Sequence, residues 1–243
     1  MADTSTYTTL RIPGAWPDAG KLVRQLPDGF QLTRKALVFP SGAEVEMRPM
    51  MADKQFPKVF ACSCLEPATD EEMEIINNYV VNVCLTAPGG SMESAYTMMQ
   101  AGAAIVRAGG AGVFIDNSAL SHGGANWLTM EEDGGVDALC FAFVNIVRGS
   151  KDLWTVGMHT LGLRDVIMPR AEPGADEATM VDVVLHLCNR DKPIEHGHVL
   201  DNDFVPRLKA LVMKDDNFAA TSPMHNPYGR LKLVNVKNIA ESN

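Results

Sequence analysis

The sequence predicts an α+β fold of two layers, with helices packed on one face of mixed or antiparallel sheets. Three observations carry that prediction. From Glu44 to Met50, Val45 and Met47 alternate with Glu44, Glu46 and Arg48, the period-two pattern of a strand with one wet face. From Ser91 to Arg107 the apolar residues Ala95, Met98, Met99, Gly102, Ile105 and Val106 fall on a single helical stripe. Between Lys58 and Asp116 the order reads strand, helix, strand, helix, strand, which predicts local parallel pairing with right-handed crossovers.

Taken in order, the chain opens with a turn at Pro13-Gly14 and a short helix that has Pro17 at its first position and Leu22, Val23 and Leu26 behind it. Gln31 to Phe39 reads as a strand, Ser41-Gly42 as a tight connection, and Glu44 to Met50 as its hairpin partner. Lys58 to Leu65 reads as an apolar strand. Thr69-Asp70-Glu71-Glu72 is a Thr-x-x-Glu capping box in front of a helix from Asp70 to Tyr79. The acids Asp70, Glu71, Glu72 and Glu74 suit that helix start, where the dipole favours negative charge, so they read as a solvated cap.

Val81 to Ala87 reads as a buried strand, Pro88-Gly89-Gly90 as a turn, Ser91 to Arg107 as a helix, and Val113 to Asp116 as the returning strand. Small residues on the helix stripe would let it approach a sheet closely. Asn117 to Gly135, rich in Ser, Gly, Asn and acids, is the predicted boundary if the single unit 1–243 divides into halves 1–118 and 136–243. Val136 to Arg148 reads as a long strand paired with Leu153 to Thr160 across Gly149-Ser150-Lys151-Asp152. Asp176 to Leu187 reads as a helix stopped by Lys192-Pro193, His196 to Leu200 as extended chain, and Pro206 to Met213 as a helix. An Asn226-Pro227-Tyr228-Gly229 turn then leads into an edge strand from Leu231 to Val236.

Composition narrows the function classes. A net charge of −9 over 243 residues disfavours nucleic acid and anionic membrane surfaces as partners, since both select for clustered Lys and Arg. The longest apolar run, Ala138 to Val147, is about half a membrane span, and MADTSTYTT lacks the basic and apolar regions of a signal peptide. The five cysteines are an odd number without zinc-site spacing, and Cys62-Ser63-Cys64 is a CxC, so they read as reduced thiols of a cytoplasmic protein.

Several segments invite a chemical reading. Gly89-x-Ser91-x-Glu93 follows a strand and opens a helix as a nucleophile elbow does, but Glu93 replaces the glycine that allows close helix and strand packing. As an anion cradle the same turn lacks the P-loop lysine and carries a carboxylate where the anion would sit. The plain alternative is that Ser91 caps the helix. Ser91, Asp165 and either His196 or His198 occur in the chain order of a hydrolase triad, although with so many acids that order is expected by chance. Ser121-His122-Gly123-Gly124 resembles an oxyanion loop but lies after the candidate serine rather than before it. His196 and His198 share a side if extended, with Asp201 and Asp203 close behind, a partial ligand set for a metal.

The most distinctive stretch is Leu153 to Pro169, which carries His159, Arg164 and Asp165 around Gly157 and Gly162. The two glycines predict a strand leaving its sheet through a turn with unusual backbone angles, Leu161 and Leu163 packing beneath. On that reading His159→Ala should be mild and Gly162→Val destabilising.

The segment GMHTLGLRDV, with the acidic helix after it, HGHVLDND and the tail NPYGRLKLV, resembles the C-terminal part of bacterial proteins grouped as domain of unknown function 4261. LTAPGGSMESAYTMMQAGAAIVRAGGAGVFIDNSA and Trp127 resemble the segment that precedes the domain there, so the likeness covers about two thirds of the chain. It implies an intracellular α+β fold and brings no activity, catalytic residue or cofactor. The expectation is therefore a cytoplasmic, non-catalytic interaction or regulatory module without a cofactor, with a protein partner or a homo-oligomer and with no nucleic acid or membrane. The alternatives are a serine-type hydrolase using Ser91, with His159 and Asp165 as further catalytic candidates, and a metal-dependent enzyme using His196 and His198.

Overall fold

A computed structural model describes residues 6–172, 174–190, 192–200 and 207–236. The α+β class holds: two sheets, mostly antiparallel, carry the helices. The first sheet contains β1 (Tyr7–Gly14), β2 (Gln31–Leu32), β3 (Ala36–Val38), β4 (Glu44–Met51), β5 (Val81–Pro88), β6 (Gly112–Ile115) and β7 (Leu120–Gly123), in the order β2-β3-β4-β5-β1-β6-β7. The second contains β8 (Asn145–Arg148), β9 (Asp152–Val156), β10 (Asp165–Pro169), β11 (Val199–Leu200), β12 (Leu208–Met213) and β13 (Arg230–Asn235), in the order β11-β12-β13-β10-β9-β8. Among the described strands, only β10 and β13 pair in parallel.

The strand β1 corrects the opening of the chain. Leu10 and Ile12 turn inward while Thr9 and Arg11 turn outward, and all eight residues pair with β5. The Pro13-Gly14 signal hid this alternation, because tertiary pairing overrides local turn preference. The strand also explains why the predicted parallel pairing is absent. β5 and β6 run the same way, but β1 lies between them and is antiparallel to both. The helix after β1, α1 (Ala19–Gln25), starts two residues later than predicted, with the Asp18 side chain accepting from Lys21 N at 2.8 Å as its cap.

Local signals that contain their own hydrogen bonds survive intact. α3 (Asp70–Asn77) has both halves of the Thr69 and Glu72 capping box. α4 (Met92–Arg107) buries its predicted stripe, and Gly102 lets it close on Trp127, whose indole N–H donates to the Met99 carbonyl at 3.1 Å. Trp127 is fully buried on α5 (Gly124–Asp133), so Asn117 to Gly135 is no bare linker: it supplies β7 and a helix packed on α4. One apolar core runs from Leu10 and Ile105 of the first half to Val166 and Leu231 of the second.

Five further predictions fail. Gln31 to Phe39 is not one strand but the short hairpin β2/β3, with Gln31 opposite Val38. Most of the predicted strand Lys58 to Leu65 lies instead in a helix, α2 (Phe56–Ser63), whose Phe56 and Phe60 join Ile76 of α3, Tyr79 and Phe114 of β6 in a second cluster. Val136 to Arg148 is split into the buried helix α6 (Val136–Phe143) and β8, since a continuous apolar run fits either state. Leu208–Met213, within the predicted helix Pro206 to Met213, is the strand β12, where pairing with β13 overrides the helix preference of Leu, Lys, Ala and Met. β13 is interior rather than an edge, held by β12 on one side and β10 on the other. The hairpin β8/β9 and the helix α7 (Glu177–Cys188), capped by Asp176, stand as predicted apart from their ends.

Candidate functional site

The glycine-flanked corner follows β9. Gly157 (φ 106) and Gly162 (φ 80) bracket a single 3-10 turn, Met158–Leu161, so the left-handed angles that the sequence predicts are present. A β-carbon on Gly162 would run into the Gly90 carbonyl oxygen, and Gly90 N donates to the Thr160 carbonyl at 3.0 Å. The corner therefore seats on the turn that precedes α4, and the Ser91 region and the His159 region do meet in space.

They do not assemble a triad. The Ser91 hydroxyl accepts from Ser94 N at 3.1 Å and donates to the Ser94 hydroxyl at 3.0 Å, which makes it the helix cap. Asp165 is 4% exposed, and it accepts from the Thr155 hydroxyl at 3.0 Å, Met158 N at 3.2 Å and the Asn226 amide at 2.8 Å. No histidine bonds to it. Burial pushes its carboxyl up to about 7, against the pull of those three donors.

His159 is 2% exposed. Its Nε2–H donates to the Pro223 carbonyl at 3.0 Å, and the Asn117 amide lies 3.1 Å from the same nitrogen. Burial lowers its pKa to about 4, so it is neutral at pH 7. His159 is thus a buried tie between the corner and the segment before β13, and the expectation that its loss is mild does not fit this position. Arg164 makes a related tie: its guanidinium donates to the Tyr228 and Ile194 carbonyls at 3.0 and 2.9 Å.

The metal candidates are no better supported. His196 Nδ1 accepts from Val212 N at 3.2 Å, which occupies one of its two nitrogens. Asp201 and Asp203 lie outside the described residues, and among the described residues no group of three His, Cys, Asp or Glu side chains could hold a metal ion. All five cysteines are free thiols. His122, in the discounted loop, is buried in β7 and donates to the Ala142 carbonyl at 3.0 Å; burial lowers its pKa to about 4.

The loop between β12 and β13 holds what sequence reasoning missed. Asp215, Asp216, His225, Asn226 and Tyr228 line a cavity of about 490 Å³ there. The Asp215 carboxylate is fixed by Asn217 N at 3.1 Å and Asn226 N at 2.9 Å, and His225 Nδ1 sits 3.5 Å from its Oδ2. The Asn226 side-chain amide reaches across to Asp165, so this loop covers the corner. Its one sequence signal was the Asn-Pro-Tyr-Gly turn, whose Asn226 side-chain Oδ1 accepts from Tyr228 N at 3.0 Å. Comparison with protein-family models, with curated proteins and with solved structures finds no match for this chain.

Proposed function

We propose that the protein is a non-catalytic interaction or regulatory module acting in the cytoplasm, engaging a protein partner or a second copy of itself. The observation that carries this reading is the use to which the reactive side chains are put. Ser91 caps a helix, Asp165 takes three internal donors, and His159 bonds a backbone carbonyl, so each holds chain to chain instead of facing a substrate. A general base needs reach to the proton it removes, and a nucleophile needs such a base beside it. Neither arrangement is supported at Ser91. That no helix among the described residues is long and apolar enough to cross a membrane is compatible with the reading.

The test uses untagged full-length protein. Treatment with a fluorophosphonate probe should leave Ser91 unlabelled, and elemental analysis should find far less than one equivalent of zinc, manganese or iron. A partner identified from native lysate, repurified and titrated by calorimetry, should give a saturable complex that Ser91→Ala leaves unchanged. Labelling of Ser91, or a stoichiometric metal, would overturn the proposal.

A further inference from the structure

A second cavity, of about 120 Å³, lies between the glycine-flanked corner, the end of α7 with the stretch that follows it, and the start of β13. Its floor is aliphatic. Leu163, Leu187, Ile194 and Leu231 form it, and the last three are only 3–6% exposed. Its polar side chains are Arg164, Lys192 and the phenol of Tyr228, and among the described residues no acid lines it. Asp165, next to Arg164 in sequence, is buried under its three donors, and Glu195 is exposed to solvent.

The protein's own contacts leave much of the Arg164 guanidinium free. Such a group has five N–H donors. Nε donates to the Tyr228 carbonyl and Nη1 to the Ile194 carbonyl, which fixes the plane of the guanidinium, while Nη2 has no partner among the described residues. Unlike Nη2 of Arg230, it is not shut away from solvent. Both acceptors are neutral, and among the described residues no ion pair reaches Arg164 or Lys192. The cavity therefore combines two unmatched cations with a hydrocarbon floor. The C-terminus of α7 brings about half a negative charge near Leu187, too little to cancel two full positive charges.

We infer that this cavity is a binding site for a small aliphatic carboxylate, its charge on Arg164 and Lys192 and its hydrocarbon against the leucine and isoleucine floor. A carboxylate takes two parallel bonds from a guanidinium already held in one plane, and Lys192 adds long-range attraction. At about 30 Å³ per water the space equals about four waters, which suits a short branched chain. An inorganic anion would instead leave its charge against apolar surface. The same head and tail occur in a free short-chain acid and at the C-terminus of a peptide that ends in leucine or valine. The inference goes beyond the interaction-module reading and stands apart from it.

Ligand-observed NMR titration of the full chain tests this with isovalerate, with N-acetylleucine as the mimic of a peptide terminus, and with the amide of each as control. Wild type should bind at least one acid saturably at millimolar concentrations and neither amide, and the tighter acid identifies the source. Lys192→Glu, at an exposed position, should melt as wild type does and bind about tenfold more weakly. Arg164→Gln should lose binding altogether. Because it also loses two ties to backbone carbonyls, its fold is checked by thermal melting, and Lys192→Glu decides the matter if it does not fold. The site is refuted if neither acid binds wild type, if the amides bind as the acids do, or if Lys192→Glu binds as wild type does. Refutation leaves the interaction-module reading standing, whereas labelling of Ser91 or a stoichiometric metal would overturn that reading and leave this site.

Discussion

Asp165 and Arg230 are neighbours on adjacent strands, one acid and one base, both almost completely buried, and the molecule treats them in opposite ways. Asp165 has three donors converging on it, while Arg230 has an unpartnered Nη2. A buried charge whose partners are all internal ties the fold together, whereas a buried donor left without a partner costs stability. The corner around Asp165 is of the first kind and Arg230 Nη2 of the second.

Breaking the corner should have the largest effect. Gly162→Val adds strain of about 1–3 kcal/mol at a positive φ and overpacking of about 1–3 kcal/mol against the Gly90 carbonyl, so a loss of about 4 kcal/mol is expected in chemical denaturation. Gly42 provides the control: it also has positive φ but nothing within 4 Å of an added β-carbon, so Gly42→Val should show the strain alone. Comparable losses at the two positions would remove the case for a seated corner.

His159→Ala should come next, at about 2 kcal/mol, because it empties a buried site and leaves the Pro223 carbonyl without its donor. Its pH signature is more diagnostic. His122 and His159, with pKa values near 4 in the fold against 6.5 free, take up protons on unfolding, so their contribution to stability is lost as pH falls from 6.5 toward 4. Asp165, raised to about 7, works the other way: its contribution is present at low pH and lost as pH rises through 7. The three leave about one net proton taken up on unfolding between pH 4.5 and 6, a slope of about 1.4 kcal/mol per pH unit. In His159→Ala that slope should fall to about zero, and an unchanged slope would mean that His159 is protonated in the fold.

The smallest effect is expected at Ser91, where Ala removes one cap and costs about 1 kcal/mol. A larger loss would mean that the turn does more than start α4.

How much was legible follows from where the information lay. The capping box at Thr69, the Ser91 cap, the α4 stripe and the glycines at 157 and 162 were readable because each signal and its physical cause sit within a few residues. The strand β1 and the strand β12 were not, because each is decided by its pairing partners rather than by local preference. The apolar stretch of α6 fits strand or helix equally until its packing is known. His225 stood in a Pro-rich turn with no obvious companion, and only the fold brings it within 3.5 Å of Asp215. Arg230 fell between the predicted turn and the predicted strand from Leu231, and its burial depends on what covers that sheet face in the fold.

The contrast between the two charges is tested most directly by unfolding Asp165→Ala and Arg230→Met side by side in chloride buffer at pH 7. Asp165→Ala leaves three donors unanswered and should lose about 3 kcal/mol, while Arg230→Met removes an uncompensated charge and should gain about 1–4 kcal/mol. Opposite signs bear out the division between a tied acid and an unpartnered base; a loss of stability in both variants would contradict it.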